Sequence, residues 1–367
     1  MTTSNLIAIR DGEINGGFYS PAKEKAAIRG SFQHRFVIFR RLRYIAKLKL
    51  LLLVFCALCG VGLLISRIPS SLGWNLRYPS SSFSSSRGGY TVLINTWKRN
   101  SLLKQSVAHY ASCHGTKGIH VVWSENDPPS NSLKNYLYNI VMAKSQTARK
   151  PDFKFDINEE DNLNNRFKPI QSLRTDAIFS VDDDVIVPCD ELEFAFSIWQ
   201  TAPSTMVGFV PRMHWIGEKK ETHVSYKYGG WWSVWWMGTY SMVLSKAAFF
   251  HQKYLDMYTN QMPASIRNYV TRERNCEDIA MSLLVANITG APPIWVKGKI
   301  YEIGSFGISS LKDHSNKRHK CLNDFVSLYG YLPLVPTNVK AVDSRNEWFC
   351  CLEKREKKVK SRCEKSF

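Results

Sequence analysis

The sequence is short of acidic residues. It contains 31 Asp and Glu against 49 Lys and Arg, which gives a formal net charge of +18 over 367 residues. The excess is concentrated at the two ends: nine basic residues and one acid, Glu24, lie between Lys23 and Lys49, and a second basic run occupies residues 354–365. Because the middle of the chain carries little of this charge, we do not expect a nucleic-acid-binding protein.

The chain also lacks internal repeats, and it has one long uncharged apolar run. That run, residues 50–65, has 16 residues, whereas a membrane-spanning helix needs about 17 to 25. Lysine and arginine at its ends can extend their side chains to the membrane surface. We predict a cytosolic tail over 1–49 and a transmembrane signal anchor over 50–66. A buried core helix and a cleaved signal peptide are the alternatives.

The basic residues before the anchor predict its orientation. They favour a cytosolic N-terminus and a lumenal body, which is the type II topology. A short span suits thin membranes, so we expect the Golgi membrane, with the endoplasmic reticulum as second choice. Asn287 begins the one N-glycosylation sequon, Asn-Ile-Thr, and a lumenal body agrees with it.

Cysteine spacing excludes one class of site and leaves another open. The seven cysteines after the apolar run contain no Cys-x-x-Cys pair and no Cys/His cluster with zinc spacing, so a structural zinc site is not expected. Disulfides are expected in an oxidising compartment. Because seven is odd, at least one cysteine is free or pairs with another chain, which leaves a homodimer open.

The composition divides the rest of the chain into a stem over 67–89, a catalytic domain over 90–338 and a basic tail over 339–367. In the domain, short apolar runs alternate with helical patterns, which predicts an α/β fold with a mostly parallel sheet covered on both faces. Strands are predicted at 90–95, 119–123, 177–181 and within 205–211 and 240–245, and helices near 101–110 and 132–143, after Ser245 and from Glu277.

Three acids, Asp182 to Asp184, follow the predicted strand 177–181 directly. Adjacent carboxylates repel one another, and burying them is costly without a positive partner. A solvated turn, a calcium loop, a phosphate-accepting Asp and a metal–diphosphate site are the four interpretations. A calcium loop needs alternating oxygen ligands over about twelve residues, which this stretch lacks. Ligands of α/β sheets bind at the carboxyl ends of strands, so we favour Mn²⁺ or Mg²⁺ with a nucleotide diphosphate.

Eight motifs then appear in an order that resembles the exostosin-type glycosyltransferases of family 64. They are NTWKR (95–99), NNRF (164–167), VDDDV (181–185), FAFSIWQ (194–200), VGFVPR (207–212), YSMVL (240–244), NCEDIAM (275–281) and CLNDFVSLYGYLPL (321–334). The resemblance covers about residues 90–336. It implies the A-type nucleotide-sugar fold, a Rossmann-like mixed sheet with helices on both faces. It also implies manganese and transfer with retention of anomeric configuration.

The resemblance assigns roles to individual residues. Asp182 and Asp184 are the outer acids of an Asp-x-Asp motif, with Asp184 the better metal ligand, while Asp182 and Asp183 would meet the ribose or donor sugar. The residues that match the two nucleotide-binding loops are Asn95, Arg99, Asn165 and Arg166.

The resemblance also names the catalytic residues. Asp278 matches an acid near the reacting centre, and Arg318 matches an arginine that faces the diphosphate. Cys276 and Cys321 match a disulfide that would join the Asp278 helix to the Arg318 loop. Without the resemblance, Asp278 reads as an acid favoured by a helix N-terminus, and Arg318 as part of a solvated basic loop.

The family pattern fails at one place, the stretch YGGWWSVWWMG before YSMVL. Its four tryptophans are acceptor candidates: Trp231, Trp232, Trp235 and Trp236. They predict core packing, a platform for sugar stacking, or a surface at a membrane interface, where Trp is favoured.

The shorter, single-domain plant members of the family give the functional expectation. They imply transfer of mannose from GDP-mannose to a glycosyl inositol phosphorylceramide, a sphingolipid head group. No residue distinguishes guanine from uracil, so a UDP-N-acetylhexosamine transferase is the first alternative. A non-catalytic lumenal glycan-binding scaffold is the alternative of another class.

Overall fold

The computed structural model describes residues 45, 47–61, 88–147, 150–220, 223–304 and 314–344. The chain divides into two compact units, Met1–Pro79 and Ser80–Phe367. In the first unit, residues 47–61 form helix α1. Within the described ranges, no helix combines the length and the apolar character needed to cross a membrane. The end of the predicted anchor, 62–66, lies outside the described residues, as do nearly all of the predicted tail 1–49 before α1 and most of the stem. The anchor therefore stays a prediction.

The second unit alternates strands and helices along most of its length. Its elements are β1 (Tyr90–Thr96), α2 (Asn100–Ala111), β2 (Thr116–Trp123), α3 (Asn131–Lys144), β3 (Asp152–Ile157), a 3-10 helix (Leu163–Phe167), β4 (Ala177–Asp182), β5 (Val185–Ile186), α4 (Cys189–Thr201), β6 (Val207–Gly208), β7 (Pro211–Lys220), β8 (His223–Gly229), α5 (Trp231–Met237), β9 (Met242–Val243), β10 (Ala247–His251), α6 (Lys253–Asn260), α7 (Ala264–Glu273), α8 (Glu277–Thr289), β11 (Ile294–Val296), β12 (Tyr301–Glu302), α9 (His314–Tyr329) and β13 (Lys340–Ala341).

An eight-stranded sheet with the order β13-β11-β6-β10-β4-β1-β2-β3 forms the centre of this unit. Strand β10 runs antiparallel to both of its neighbours, and the other described pairings of the sheet are parallel. The predicted α/β class with a mostly parallel sheet is confirmed. Strands β8, β7 and β9 form a separate three-stranded sheet, and β12 pairs with β5.

Both faces of the large sheet are buried, as its apolar strands require. Successive residues of a strand point to opposite faces. Leu93 and Phe250 accordingly belong to one hydrophobic cluster, while their neighbours Val92, Ile94 and Phe249 belong to the other. Helix α8 is apolar on nearly all sides and buried, with nine of its residues out of solvent, so its first turn is held firmly in the interior.

Three elements differ from what the sequence predicted. The residues after Ser245 form strand β10 rather than a helix, and the helix begins at Lys253; the run AAFFH is short and apolar, a pattern that does not separate helix from strand. Arg318 lies in helix α9 rather than in a loop. Strand β13 extends the sheet into the predicted tail 339–367, and a strand of two residues leaves no periodic signal.

Two disulfides are present in the described part of the chain. Cys276 is bonded to Cys321, which confirms the pairing that the resemblance implied. Cys113 is bonded to Cys189, a pairing that the sequence alone does not determine. The first bond joins the residue before α8 to the middle of α9. The second joins the end of α2 to the start of α4.

Candidate active site

The polar residues of the site gather at the carboxyl ends of parallel strands. Strands β1 and β4 pair in parallel, with Asn95 opposite Asp182. The backbone carbonyl of Asn95 accepts a bond from the N–H of Asp183 at 3.1 Å. Because β4 ends at Asp182, the next two acids occupy a turn at the edge of the sheet. The structure therefore brings Asn95 and the acidic triplet together where the sequence predicted a ligand site.

The three acids face different surroundings. The side chains of Asp182 and Asp184 are 26% and 20% exposed, whereas that of Asp183 is fully buried. Asp183 accepts a hydrogen bond from the hydroxyl of Thr96 at 2.7 Å. Burial raises the pKa of Asp183 to about 7, although the bond from Thr96 and the charge of Arg99 act in the opposite direction. The burial of Asp183 does not favour its predicted contact with the donor, whereas Asp182 and Asp184 are accessible to a ligand.

Two guanidinium groups compensate the triplet. Arg99 pairs with Asp183 and donates to Oδ2 of Asp184 at 2.7 Å. Arg166 pairs with Asp182 and donates to the hydroxyl of Ser245 at 2.9 Å. When all three acids are ionised, the carboxylates outnumber the two guanidinium groups by one, and a divalent cation would compensate this remaining negative charge.

Arg166 and Asn165 are held from the 3-10 helix before β4. Arg166 is 4% exposed. Asn165 is also buried, and its amide donates to the hydroxyl of Ser124 at 3.0 Å, just beyond the end of β2. Arg166 therefore contacts the end of β4, and Asn165 contacts the residue that follows β2. In this conformation neither side chain has much surface left for a nucleotide, and their predicted role in binding one stays a prediction.

A second acidic centre lies at the start of α8. Both carboxylate oxygens of Asp278 accept bonds from one guanidinium nitrogen of Arg318, at 2.9 and 3.1 Å. The backbone N–H of Ile279 donates to the same carboxylate at 2.8 Å. Arg318 also donates to the hydroxyl of Tyr228 at 2.9 Å, and its guanidinium lies 5.3 Å from the centre of that ring. The two residues predicted to be catalytic thus form one buried pair.

Arg318 is 8% exposed, which rules out a solvated basic loop. It contacts Asp278 and Tyr228, so in this structure it acts as a partner of the acid. Its predicted contact with the diphosphate is not tested by these contacts. Burial would raise the pKa of Asp278, but the charge and hydrogen bonds of Arg318 outweigh burial and lower it. Asp278 is therefore ionised at neutral pH.

Glu277, directly before Asp278, titrates in the opposite direction. Burial and the neighbouring charge of Asp278 raise its pKa to about 7, although Arg166 and Arg318 act against this shift. Two adjacent carboxyl groups therefore differ in protonation near neutral pH, a separation that is common at sites of acid–base chemistry. Arg166 interacts electrostatically with both the triplet and this pair, so the two acidic centres belong to one site.

A strained turn fixes the position of this pair. Cys276 has a positive φ of 73°, a backbone conformation that costs a non-glycine residue on the order of 1 kcal/mol or more. The side chain of Asn275 accepts a bond from the N–H of Cys276 at 2.8 Å. The disulfide to Cys321 holds the same residue from α9, one turn away from Arg318. The backbone conformation of Cys276, its hydrogen bond to Asn275 and its disulfide to Cys321 together hold the first turn of α8 in position.

The surroundings of Asp184 fit a metal ion. Oxygen ligands of this kind suit Mn²⁺ and Mg²⁺, and the Asp184 side chain is 20% exposed, so a ligand can reach it. The N–H of Ile303 donates to the carbonyl of Asp184 at 2.7 Å. Beside it, a Cβ atom at Gly304 would lie only 2.8 Å from the Cβ of Asp184. The glycine therefore leaves room at this carboxylate that any side chain would fill.

Helix α5, which we name the Trp helix, carries the four predicted acceptor candidates. Their exposed fractions are 47% for Trp231, 74% for Trp232, 62% for Trp235 and 82% for Trp236. Core packing, one of the three interpretations of the sequence, is therefore wrong. The buried residue of this helix is Val234.

Sequence reasoning missed several residues of the site. Glu277 stands in the motif NCEDIAM, and its adjacency to Asp278 was the available signal. Tyr228, Ser245 and Thr96 contribute hydroxyl groups from positions scattered along the chain. No spacing in the sequence joins them, because the fold alone brings them to the two acidic centres.

Comparison with known proteins identifies the family. Residues 90–348 match the model of the glycosyl transferase family 64 domain. The chain is 63% identical over 266 residues to glycosylinositol phosphorylceramide mannosyl transferase 1 of Arabidopsis thaliana, which covers 72% of this chain and 80% of that protein. It is 33% identical over 255 residues to human exostosin-2, which covers 67% of this chain and 33% of that protein.

A solved structure is similar at a lower level. It is a mannosyltransferase from Pyrobaculum calidifontis in complex with GDP-Man and Mn²⁺, with a TM-score of 0.37, 13% identity and coverage of 57% of this chain and 55% of that chain. This likeness is too low to bear on the function. The family match spans the whole described sheet and both acidic centres, and the chain therefore belongs to glycosyl transferase family 64.

Proposed function

We propose that this chain transfers mannose from GDP-mannose to the head group of a glycosyl inositol phosphorylceramide, with retention of anomeric configuration. The observation that carries the proposal is the 63% identity to the Arabidopsis glycosylinositol phosphorylceramide mannosyl transferase, because it extends over 80% of that protein. Transfer from a nucleotide sugar needs groups that bind the diphosphate and an ionised group near the sugar. The acidic strand end and the buried Asp278–Arg318 pair can fill these two roles.

In this proposal the strand end binds the donor. Asp184, with Asp182, would hold Mn²⁺ or Mg²⁺, and Asn95 in β1 and Arg99 just before α2 would line the nucleotide. When bound, the metal stabilises the negative charge that grows on the leaving diphosphate. Arg99 and Arg166 add fixed positive charge at the same edge, so the departing group is stabilised by groups that are already in position.

Asp278 serves the sugar side of the reaction. As the bond to the diphosphate breaks, the anomeric carbon gains positive charge, which an ionised carboxylate nearby stabilises. A covalent route and a same-face substitution both need this carboxylate ionised, and the lowered pKa of Asp278 supplies that form. Glu277, whose pKa of about 7 permits either protonation state, can exchange a proton with the acceptor hydroxyl. Arg318 keeps Asp278 in place and ionised.

The cellular setting belongs to the same proposal. A type II protein anchored in the Golgi membrane would present residues 90–338 to the lumen, where sphingolipid head groups are accessible. Asn287, the predicted glycosylation site, is exposed in the last turn of α8 and lies next to the hydroxyl of Tyr331. An exposed acceptor asparagine agrees with a lumenal domain.

The test uses the full chain, purified in detergent, with Mn²⁺ and either GDP-mannose or UDP-N-acetylglucosamine. Nucleotide release is measured with and without the glycosyl inositol phosphorylceramide acceptor. We expect release of GDP that the acceptor stimulates and that Asp184→Ala abolishes, while the exposed acid variant Asp190→Ala retains it. Turnover with the UDP-sugar alone would favour the N-acetylhexosamine transferase. No turnover with any donor would favour the glycan-binding scaffold.

A further inference from the structure

The Trp helix exposes an aromatic surface that the catalytic chemistry does not explain. Trp232 and Trp236 are 74% and 82% exposed. The rings form a connected series, with centroid distances of 5.1, 6.1 and 6.3 Å between successive members. Met237, at the end of the helix, is also exposed. A contiguous apolar patch of this kind usually marks an interaction surface.

We infer that the Trp helix docks the protein on the surface of an anionic lipid bilayer. Tryptophan is the side chain that favours the boundary between water and lipid, because its ring is apolar and its N–H is polar. Lysine side chains beside such a surface can reach lipid phosphates. The family match does not assign this contact. The inference rests on the part of the proposed function that makes the acceptor a lipid.

The charges around the helix agree with an anionic partner. Residues 223–238, which contain β8 and the Trp helix, include no Asp or Glu. Lys227 is exposed on β8. Helix α9 packs against β8, where the N–H of Tyr228 donates to the ring of His319 at 2.9 Å. Lys317 and Lys320, one turn apart on α9, are both exposed.

The ring geometry argues against a sugar platform. A sugar stacks on one flat aromatic face, but the rings of the Trp helix do not form a common plane: the angle is 82° between Trp231 and Trp232, 85° between Trp232 and Trp235, and 48° between Trp235 and Trp236. These rings present edges and faces in turn. Such an irregular, highly exposed surface can insert among lipid head groups, whose packing adapts to its shape.

The Trp helix begins close, along the chain, to a residue that contacts the catalytic pair. Tyr228 accepts the bond from Arg318 at 2.9 Å, and Trp231 follows it by three residues. Consecutive Cα atoms are about 3.8 Å apart, so the Cα atoms of these two residues are within about 11 Å of each other. A bilayer in contact with the Trp helix would therefore hold its head groups near Asp278, where a lipid-linked acceptor must react.

The test places the full chain in phosphatidylcholine vesicles that contain phosphatidylinositol and lipids brominated near the head group. Bromine quenches tryptophans that enter the interface. We expect Trp232→Ala/Trp236→Ala to remove most of the quenching, and Tyr138→Ala, at an exposed aromatic on α3, to leave it unchanged. Lys317→Gln/Lys320→Gln should weaken quenching in anionic vesicles more than in phosphatidylcholine alone. Equal quenching in wild type and the double Trp variant would overturn the inference.

Kinetics separate this contact from the catalytic proposal. The double Trp variant should raise KM for the lipid acceptor in vesicles by at least about tenfold and leave turnover of a water-soluble head-group analogue unchanged. An unchanged unfolding midpoint confirms that the variant is folded. Quenching needs no acceptor, so it supports the docking surface even if the donor is not GDP-mannose. A fluorescence change with soluble glycan, or a dimer that shields the rings from lipid, would overturn it.

Discussion

The Asp278–Arg318 pair makes the sharpest prediction about stability. Its side chains are 6% and 9% exposed, so replacing Arg318 by Met leaves a carboxylate buried without its partner. Removing one member of a buried pair costs about 3–5 kcal/mol. We expect Arg318→Met to lower the free energy of unfolding by that amount and to raise the pKa of Asp278, because burial is then opposed only by the Ile279 N–H bond and the charge of Arg166.

The second variant isolates the charge. In Arg318→Met/Asp278→Asn no ionised carboxylate is left at this position, and the amide oxygen can still accept the bond from Ile279. The double variant should recover on the order of 1–2 kcal/mol of the loss. As a control, Arg272→Met removes an ion pair with Glu273 whose arginine is 66% exposed, and it should cost under about 1 kcal/mol.

The assay is denaturant unfolding of the full chain in detergent, followed by tryptophan fluorescence. The reasoning is refuted if Arg318→Met costs no more than Arg272→Met. It is also refuted if the double variant loses as much unfolding free energy as Arg318→Met and Asp278→Asn lose together, because the two residues would then not be coupled.

Three further predictions follow from other parts of the fold. Cys113→Ser opens a disulfide that spans 76 residues of sequence, so it should destabilise the chain by about 2–5 kcal/mol in denaturant unfolding, while Cys56→Ser, at a free cysteine, should not; equal effects would contradict this. Gly304→Ala places a Cβ atom against Asp184 and should lower Mn²⁺-dependent turnover about tenfold or more with little change in unfolding, whereas unchanged turnover would show that the room at Asp184 is not needed. Burial raises the pKa of Glu277 from 4.5 to about 7, so the folded state favours the protonated carboxyl. The stability that this proton provides is complete below the unfolded pKa of 4.5 and is lost as the pH rises through the folded pKa of about 7. The unfolding free energy should therefore fall by about 1 kcal/mol between about pH 6 and 8, and this fall should be smaller in Glu277→Gln.

The sequence predicted the fold best where local pattern and tertiary role agree. Strand β1, YTVLINT, is apolar and β-branched, and its burial on both faces leaves no competing structure. Strand β10 was not predicted, because AAFFH fits a helix as well as a strand. Its antiparallel position between β4 and β6 depends on strand pairing alone. Strand β13 was not predicted, because two residues are too few to show the alternating pattern of a strand.

The site divides in the same way. The acidic triplet could be found because three adjacent charges directly after an apolar strand conflict with burial unless positive groups compensate them. The pairing of Asp278 with Arg318 could not be found by pattern. The two residues are 40 positions apart, and the contact depends on α8 and α9 packing together with the disulfide between them. The sequence alone could not decide the exposure of the Trp helix, since WWSVWWM fits core packing as well as the two exposed alternatives.

The most direct test of the central claim is the mass of the lipid product. The full chain is incubated with GDP-mannose, Mn²⁺ and glycosyl inositol phosphorylceramide, and the lipid is analysed by mass spectrometry. We predict the addition of one hexose to the head group by the wild-type chain and a severe loss of product in Asp278→Asn at an unchanged affinity for GDP. A head group that gains no hexose from GDP-mannose, or an Asp278→Asn variant that forms product at the wild-type rate, would contradict the account.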